Sequence, residues 1–442
     1  MRLVLILFLC LLSGQAWAAT PVCDGTAVSG CQYVGQASTC TNNGDGTIST
    51  CAATSNGAGR RRGWSNINWG AMGADTVLCL VGDDTETIRL NIQASGAAAN
   101  IQQIRFEATT ANRAGIKMTR LKVSNALSTA AAPSHCIYLH ANATYSHSDV
   151  IIQNTEVFNC GAGNTTNSDG INIESVSSGL LIEDIDAHDN YYNGIDISRG
   201  GTSPILRRIH SYRNGMGGVK THCINGSSTG GLITALLSHD NGQWALEFDD
   251  WPNTTVANNT LIGASAAPAI KPGSSVFGSI RVSNDNPGTC TQTGNSFYNN
   301  LMTADYQAGV FRIYDGTLSD WTNPGVGNNT FNGNLMWQRG SQTPLIYLPN
   351  DLANNVTAAN FRTWQESHLL DQNVEPKMVG GQSPSTVSGF RLSGASTLRR
   401  AGVELNLGNV QDYGNRAFAH PPSIGAWEVA SGDLAASRTT RD

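Results

Sequence analysis

The chain has 442 residues, of which 14% are charged and 48 are glycine, and its formal net charge is −6. This negative charge argues against nucleic acid or an anionic membrane surface as a partner of the molecule as a whole, since both attract net positive proteins. The low charged fraction and the abundant glycine disfavour amphipathic helices and favour an elongated β-rich repeat fold.

Residues 1–19 predict a secretory signal peptide. Arg2 precedes an apolar run from Leu3 to Leu12, and residues 16–18 read Ala-Trp-Ala, the small-x-small pattern of a cleavage site. No later segment reaches the roughly 20 apolar residues that a membrane helix requires. We therefore expect a protein that is secreted, extracellular or periplasmic, without membrane insertion, and we expect a monomer.

Residues 20–75 predict an N-terminal, disulfide-rich capping segment. Cys23, Cys31, Cys40 and Cys51 lie in a region with few apolar residues, which disulfides would stabilise in an oxidising compartment. Spacing alone does not give the connectivity. The cysteine spacings do not resemble those of a zinc site.

A repeat of about two dozen residues follows in the middle of the chain. Its clearest copies read NYYNGIDISR at 190–199, NGMGGVKTHC at 214–223 and NGQWALEFDD at 241–250. Each copy begins with Asn, reaches a small residue four positions later and then alternates, and the starts are 24 and 27 residues apart. SDGINIES at 168–175 and HCIYLH at 135–140 fit the same frame.

Short β-rich runs separated by Asn, Gly, Asp and Ser turns lie between these copies, so each repeat holds about three strands. Such a short period without a helical pattern predicts an all-β fold, a parallel β-helix over 76–345 with a loop-rich C-terminal closure over 346–442. The recurring Asn190, Asn214 and Asn241 predict an internal amide ladder that satisfies buried backbone groups.

Strand alternation divides the repeat residues between the coil interior and its surface. Ile195 and Ile197 are expected to point inward, so Asp196 and Ser198 point outward and stack with their equivalents in neighbouring coils. The first outward column contains Tyr138, Asn172, Asp196, Lys220 and Glu247, and the second contains His140, Glu174, Ser198, His222 and Asp249. Carboxylates, a lysine and a histidine thus share a patch that has the size of a few sugar residues.

The repeats resemble those of the right-handed parallel β-helix (pectate lyase-like) superfamily, which includes pectate, alginate and chondroitin lyases, mannuronan epimerases and polygalacturonases. The flanks GWSNINWGAMGADTVLCLVGDDTETIRLNI and VELNLGNVQDYGNRAFAHPPSIGAWE are similar to the two ends of such proteins. The resemblance implies a right-handed β-helix with an N-terminal cap. It also implies a polysaccharide lyase that cleaves an acidic, uronate-containing polysaccharide, such as alginate or pectate, by β-elimination without an organic cofactor.

The resemblance also implies roles for individual side chains. In these lyases a basic side chain removes the C5 proton of a uronate, while an arginine, a lysine or a metal ion neutralises its carboxylate. Here it implies Lys220 as the base, Tyr192 as a proton donor, and Arg199, His222 or a bound cation as the neutralising group. Glu174, Asp196, Glu247 and Asp249 are the candidate ligands of a Ca²⁺ ion, which takes oxygen ligands. Asn172, Trp244, Arg312 and Tyr138 are the candidate substrate-binding residues.

The charges around Lys220 leave its role open. Lys220 lies between Asp196 and Glu247 in the first column, and neighbouring carboxylates favour the ammonium form. Either a cation occupies the carboxylates, or Lys220 is an electrostatic clamp while His222 or a tyrosine takes the proton. A solvated salt-bridge column with no catalytic role is the structural alternative.

Three other functions compete with the lyase hypothesis. A polygalacturonase-like hydrolase is one, because NSDGI at 167–171 resembles a motif of that family, although its Gly-His-Gly motif is missing. A C5-epimerase would use the same proton abstraction without cleavage. A non-enzymatic carbohydrate-binding β-helix would carry repeated aromatic residues along the coil rather than an ionisable cluster.

Overall fold

The computed structural model contains short parallel strands that stack coil upon coil. It describes residues 31–35, 61–62, 77–80, 89–90 and most of 103–428. Within 103–428 the gaps are 109–112, 127–134, 142–143, 162–167, 223–228, 250, 264–277, 284–292, 305–308, 314–327, 339–344, 348–354, 364–370, 382–383, 385, 408–409 and 420. The predicted signal peptide and most of the predicted capping segment lie outside the described residues.

The first sheet has 12 described strands in the order β2-β1-β3-β5-β9-β12-β15-β17-β20-β23-β26-β29, and every neighbouring pair is parallel. These strands are β1 (Cys31–Gly35), β2 (Arg61–Arg62), β3 (Val77–Leu80), β5 (Gln103–Ala108), β9 (Ile137–Ala141), β12 (Ile171–Ile173), β15 (Ile195–Ile197), β17 (Gly217–His222), β20 (Trp244–Asp249), β23 (Ile280–Ser283), β26 (Phe311–Ile313) and β29 (Ile346–Tyr347). This order, in which sequence-distant strands pair in parallel, is that of a β-helix and confirms the predicted fold.

The second sheet has 14 described strands and a third has 3, again all parallel. The second sheet contains β4 (Arg89–Leu90), β7 (Lys117–Thr119), β8 (Lys122–Ser124), β11 (Ile151–Phe158), β14 (Leu181–His188), β16 (Ile205–Tyr212), β18 (Gly231–Thr234), β19 (Leu237–His239), β21 (Thr254–Ala257), β22 (Thr260–Ile262), β24 (Ser296–Tyr298), β25 (Leu301–Ala304), β27 (Thr330–Asn332) and β28 (Leu335–Gln338). The third sheet contains β6 (Arg113–Ala114), β10 (His147–Ser148) and β13 (Val176–Ser178).

The core lies inside the coil, where the predicted alternation placed it. Side chains at the inward positions of β12, β15, β17 and β20 are 0% exposed: Ile171, Ile173, Ile195, Ile197, Val219, Thr221, Leu246 and Phe248. All of them except Thr221 join one continuous apolar cluster that runs from Ile104 to Phe361. Burial of these side chains inside the coil stabilises the stacked strands.

The asparagine ladder is present. The Asn190 side-chain amide donates to Asn214 Oδ1 at 2.9 Å, and the Asn214 amide donates to Asn241 Oδ1 at 2.9 Å. The Asn190 and Asn214 backbone N–H groups donate to the next amide oxygen at 3.2 and 3.1 Å, so the ladder satisfies buried turn groups. A second ladder, which the sequence analysis did not identify, joins Asn259, Asn300, Asn334 and Asp371.

Strands β14 and β16 of the second sheet each contain a left-handed residue at the equivalent position. Asp184 in β14 has φ 54° and Arg208 in β16 has φ 52°. Such backbone is unfavourable for residues other than glycine, and here side-chain contacts accompany it. The Arg208 guanidinium donates to both carboxylate oxygens of Asp184, at 3.0 and 3.1 Å.

The described part of the C-terminal segment packs against the second sheet, as a loop-rich closure should. It contains a 3-10 helix, Val387–Phe390, and isolated bridges between extended residues. Leu392, Leu398 and Ile424 pack on Leu301 and Leu335 in one apolar cluster. Met378 and Phe390 form a second cluster with Leu237 and Ile262. Among the described residues, none of the helical stretches is long and apolar enough to span a membrane.

Candidate active site

The first outward column has the predicted register. Tyr138 pairs with Asn172, Asn172 with Asp196, Asp196 with Lys220 and Lys220 with Glu247 across successive strands of the first sheet. The column then continues through Arg281, Arg312 and Tyr347. Neighbours in the column are separated by one strand spacing, about 4.8 Å.

These outward side chains are recessed rather than solvated. Asp196 is 3% exposed, Glu247 is 5% exposed and Asp249 is 0% exposed. The Lys220 side chain retains 18% exposure. A solvated salt-bridge column does not fit this burial, because ionised groups lose hydration when they are covered.

Lys220 contacts two carboxylates. Its ammonium nitrogen lies 3.3 Å from Glu247 Oε1 and 3.5 Å from Asp249 Oδ2. The Arg281 guanidinium contacts the same Glu247 oxygen. Two anions at this range stabilise the ammonium form of Lys220, and Glu247 is shared between two protein cations.

His222 contacts a different carboxylate. Its Nε2 atom lies 2.8 Å from Asp196 Oδ1 and 3.0 Å from Ser198 Oγ. Burial lowers the pKa of His222, but the charge and hydrogen bond of Asp196 outweigh it, so the pKa is raised above the usual 6.5. Ser198 and Asp196 meet the same ring nitrogen, whereas a serine nucleophile activated through histidine requires the two opposite nitrogens.

The neutral form of His222 has one free lone pair. When Nε2–H donates to Asp196, the lone pair is on Nδ1. Both hydrogen bonds of the ring to described residues are made by Nε2. The Asp196–His222 pair therefore has the form of an oriented general base.

Tyr192 lies in the turn before β15, close to the same charges. Burial raises the pKa of Tyr192 above its usual 10.0; the positive charge of Lys220 opposes the rise, and Asp169, Glu247 and Asp196 reinforce it. The phenol thus keeps its proton across the neutral range. In this state it can donate a proton but cannot accept one.

Arg199 lies two residues after the end of β15 and supplies another cation in the same coil as Asp196. Its Nε atom is buried and has no hydrogen-bond partner among the described residues. A buried donor without a partner is costly, so a bound anion would relieve the cost.

Tyr138, His140 and Glu174 form a third hydrogen-bonded group, at the N-terminal end of the columns. The Tyr138 hydroxyl and His140 Nδ1 both contact the Glu174 carboxylate, and the hydroxyl lies 2.9 Å from Nδ1. Burial raises the pKa of Glu174, but hydrogen bonds from His140 and Tyr138 lower it by more than burial raises it. The net shift of the pKa is therefore downward. Asn172 lies nearby and donates to Asp169 at 2.9 Å.

The four candidate Ca²⁺ ligands are not brought together. Within the described ranges, no three His, Cys, Asp or Glu side chains converge to hold a metal ion. Each carboxylate contacts protein donors instead: Glu174 contacts Tyr138 and His140, Asp196 contacts His222, and Glu247 and Asp249 contact Lys220. A calcium site at these carboxylates stays a prediction.

Trp244 requires a correction. Sequence reasoning assigned it to substrate binding, but its side chain is 2% exposed, as is expected of a residue packed within the fold. Trp251, on the other side of β20, is 1% exposed and joins the main apolar cluster. Neither ring offers a face on which a sugar could stack.

Arg281 is the residue that sequence reasoning missed. It lies 34 residues after Glu247, whereas the repeat used to align the columns is 24 to 27 residues long. The alternating run SIRVS at 279–283, with Ile280 and Val282 as inward residues, is the signal that could have found it.

Comparisons with known proteins yield structural neighbours only. No protein-family model matches the chain, and no curated protein matches it. A solved structure of pectate lyase Pel9A is 13% identical, covers 91% of this chain and 98% of its own, and has a TM-score of 0.35. The A-module of the mannuronan C-5 epimerase AlgE4 from Azotobacter vinelandii is 12% identical, covers 64% of this chain and 78% of its own, and has a TM-score of 0.32.

Proposed function

We propose that the protein is a polysaccharide lyase that cleaves an acidic, uronate-containing polymer by β-elimination. The observation that carries this proposal is the Asp196–His222 pair, which lies on the same recessed face as the Lys220 ammonium group. Elimination from a uronate needs a base that takes the C5 proton and a cation beside the adjacent carboxylate. The two outward residues of β17 can supply one function each.

His222 is the base in this proposal. Asp196 holds Nε2–H, and Nδ1 receives the proton. Since the pKa of His222 is raised, the imidazole becomes a free base at a higher pH than an unperturbed histidine does. Lys220 is less suited to this role, because Glu247 and Asp249 hold its ammonium form.

Lys220 and Arg199 bind the uronate carboxylate. Charge builds on this group as the C5–H bond breaks, and cations already positioned there stabilise the transition state. The guanidinium of Arg199 can form paired hydrogen bonds with a carboxylate, and its buried Nε atom would gain a partner. Tyr138 and Asn172 belong to neighbouring coils of the column and would contact adjacent sugars.

Tyr192 is the proton donor to the leaving group. The electrons of the C5–H bond form the C4–C5 double bond as the C4–O bond breaks, and the Tyr192 hydroxyl protonates the departing oxygen. Solvent then returns a proton to the phenolate and removes one from His222. The raised pKa of Tyr192 keeps the donor protonated before each turnover.

The disulfide between Cys136 and Cys160 supports a site of action outside the cytosol. Structural disulfides persist mainly in oxidising compartments. A secreted enzyme would meet plant or algal polymers there.

Incubation of the protein with alginate, polygalacturonate and chondroitin tests the proposal. We expect one polymer to yield unsaturated uronate ends, detected by their ultraviolet absorbance. Reducing ends that form without this absorbance would indicate hydrolysis. Solvent deuterium that enters C5 without chain cleavage would indicate an epimerase, and either result would refute the lyase assignment.

A further inference from the structure

The column beyond Glu247 carries two arginines that the catalytic step does not use. Arg281 pairs with Glu247 in register, and Arg312 pairs with Arg281 on the next coil. Arg281 and Arg312 therefore project from the same face as Lys220, and each lies one strand spacing, about 4.8 Å, beyond its neighbour.

Like charges directly opposite one another on paired strands repel. Glu247 offsets part of this charge, since it contacts both Arg281 and Lys220. Arg312 lies one coil further along, with Arg281 and Tyr347 as its register neighbours. The C-terminal end of the column therefore presents two guanidinium groups on successive coils.

Arg312 is also held in place by an aromatic ring. Its guanidinium lies over the Tyr347 ring, 5.1 Å from the centroid. Such a cation–π contact limits the rotamers of the side chain, so less entropy is lost when the guanidinium binds an anion. Arg281 is also held in place, in its case by a hydrogen bond from its guanidinium to Glu247.

A polyuronate matches this arrangement. It presents one carboxylate per sugar, repeated along the chain, and planar guanidinium groups bind carboxylates through paired hydrogen bonds. We propose that Arg281 and Arg312 form a subsite for uronate carboxylates and that the polymer runs along the column from Lys220 towards Tyr347. This inference rests on the proposed function, because it places the cleaved bond beside Lys220.

The proposal also sets specificity. Sugars that bind over β23 and β26 must carry free carboxylates, since a methyl ester or a neutral sugar cannot pair with a guanidinium in the same way. The enzyme would thus require a run of consecutive uronates rather than a single uronate at the cleaved bond.

Calorimetric binding of polygalacturonate and alginate, each compared with its methyl-esterified form, tests the subsite. The wild type is expected to prefer one acidic polymer over its ester, and Arg312→Gln is expected to weaken binding of that polymer about tenfold. Arg281→Lys keeps a positive charge beside Glu247 but loses the planar guanidinium group. We therefore expect it to weaken binding of the acidic polymer less than Arg312→Gln does. Arg213→Gln is the matched control, because Arg213 lies directly after β16 and forms an exposed ion pair with Asp189.

Equal affinity of Arg312→Gln and Arg213→Gln for the acidic polymer would overturn the subsite, as would equal binding of acid and ester by the wild type or no binding of either polymer. The outcome for the lyase assignment is separate. Discriminating binding that depends on Arg312, without any unsaturated product, would leave the subsite in place and refute only the lyase.

Discussion

Lys220 and His222 lie two residues apart on β17 and contact different carboxylates. Lys220 meets Glu247 and Asp249, whereas His222 meets Asp196. The two carboxylates beside Lys220 favour its ammonium form, whereas the single carboxylate beside His222 orients an imidazole that can still take up and release a proton. The possibility that Lys220 is a clamp while His222 takes the proton is therefore the one that the geometry supports.

At the residue scale, the alternation of NGIDIS and GGVKTH was enough to predict which side chains share the outward face. The Asp196–Lys220 and Lys220–Glu247 neighbours followed from the repeat. The ion pairs did not, because Asp249 and Arg281 reach Lys220 and Glu247 through side-chain conformations that a repeat does not encode. The calcium site, which rests on the carboxylates alone, stays a prediction.

Asp196→Asn should change the pH dependence of catalysis. The wild-type kcat/KM should rise with pH through the raised pKa of His222, as the imidazole loses its proton. Without the carboxylate this pKa falls, so the acid limb of the kcat/KM profile should move to lower pH and the maximal rate should fall. An acid limb at the wild-type position in Asp196→Asn would show that another group is the base.

Lys220→Ala should reduce kcat by about 10²–10³-fold while the fold is retained, because the positive charge beside the reacting carboxylate is removed. Lys122→Ala is the matched control, since Lys122 forms an exposed pair with Glu156 on the second sheet. Steady-state kinetics and circular dichroism of both variants measure the effect. A Lys220→Ala enzyme as active as the control would return Lys220 to a structural ion pair.

At the element scale, the turns hold the strands in register. Asn214 accepts from the Asn190 backbone and side chain, and it donates to Asn241, Ser211 and the Ala187 carbonyl. The repeat itself predicted this ladder. The second ladder begins only at Asn259, where the coils lengthen and sequence periodicity is lost.

Asn214→Ala should lower the free energy of unfolding by at least about 2 kcal/mol, because it leaves buried donors and acceptors without partners. Urea unfolding measures the change. Asn406→Ala, at an exposed position of the C-terminal segment, is the control and should be close to neutral. Equal stability of the two variants would mean that the ladder adds no net stabilisation.

At the scale of the whole molecule, the order of the parallel strands was predictable because each coil repeats its inward Ile, Leu and Val residues. The position of the C-terminal closure was not, since 346–442 has no repeat. It packs on the second sheet beside a stack of aromatic rings. The ring centroids of Phe390 and His239 are 4.3 Å apart, and those of His239 and Tyr212 are 5.4 Å apart. His210 Nε2 and His239 Nε2 are 2.9 Å apart in the same region.

This region should make the protein less stable in acid. Burial lowers the pKa of His210, and the nearby His239 and His188 add to the effect, although Asp186 opposes it. A folded-state pKa below the unfolded value of 6.5 means that the unfolded chain binds more protons, so stability falls as the pH drops below that value. His210→Gln should flatten the dependence of the urea midpoint on pH between about 7 and 5. An unchanged slope would remove His210 from the explanation.

Unsaturated uronate formation by the wild type and by His222→Gln, measured on the polymer that the wild type cleaves, tests directly whether His222 is the base. His188→Gln, which removes a histidine from the second sheet, is the control. We expect absorbance from the wild type and the control, and almost none from His222→Gln at any pH. Product formation by His222→Gln at the wild-type rate would contradict this role of His222.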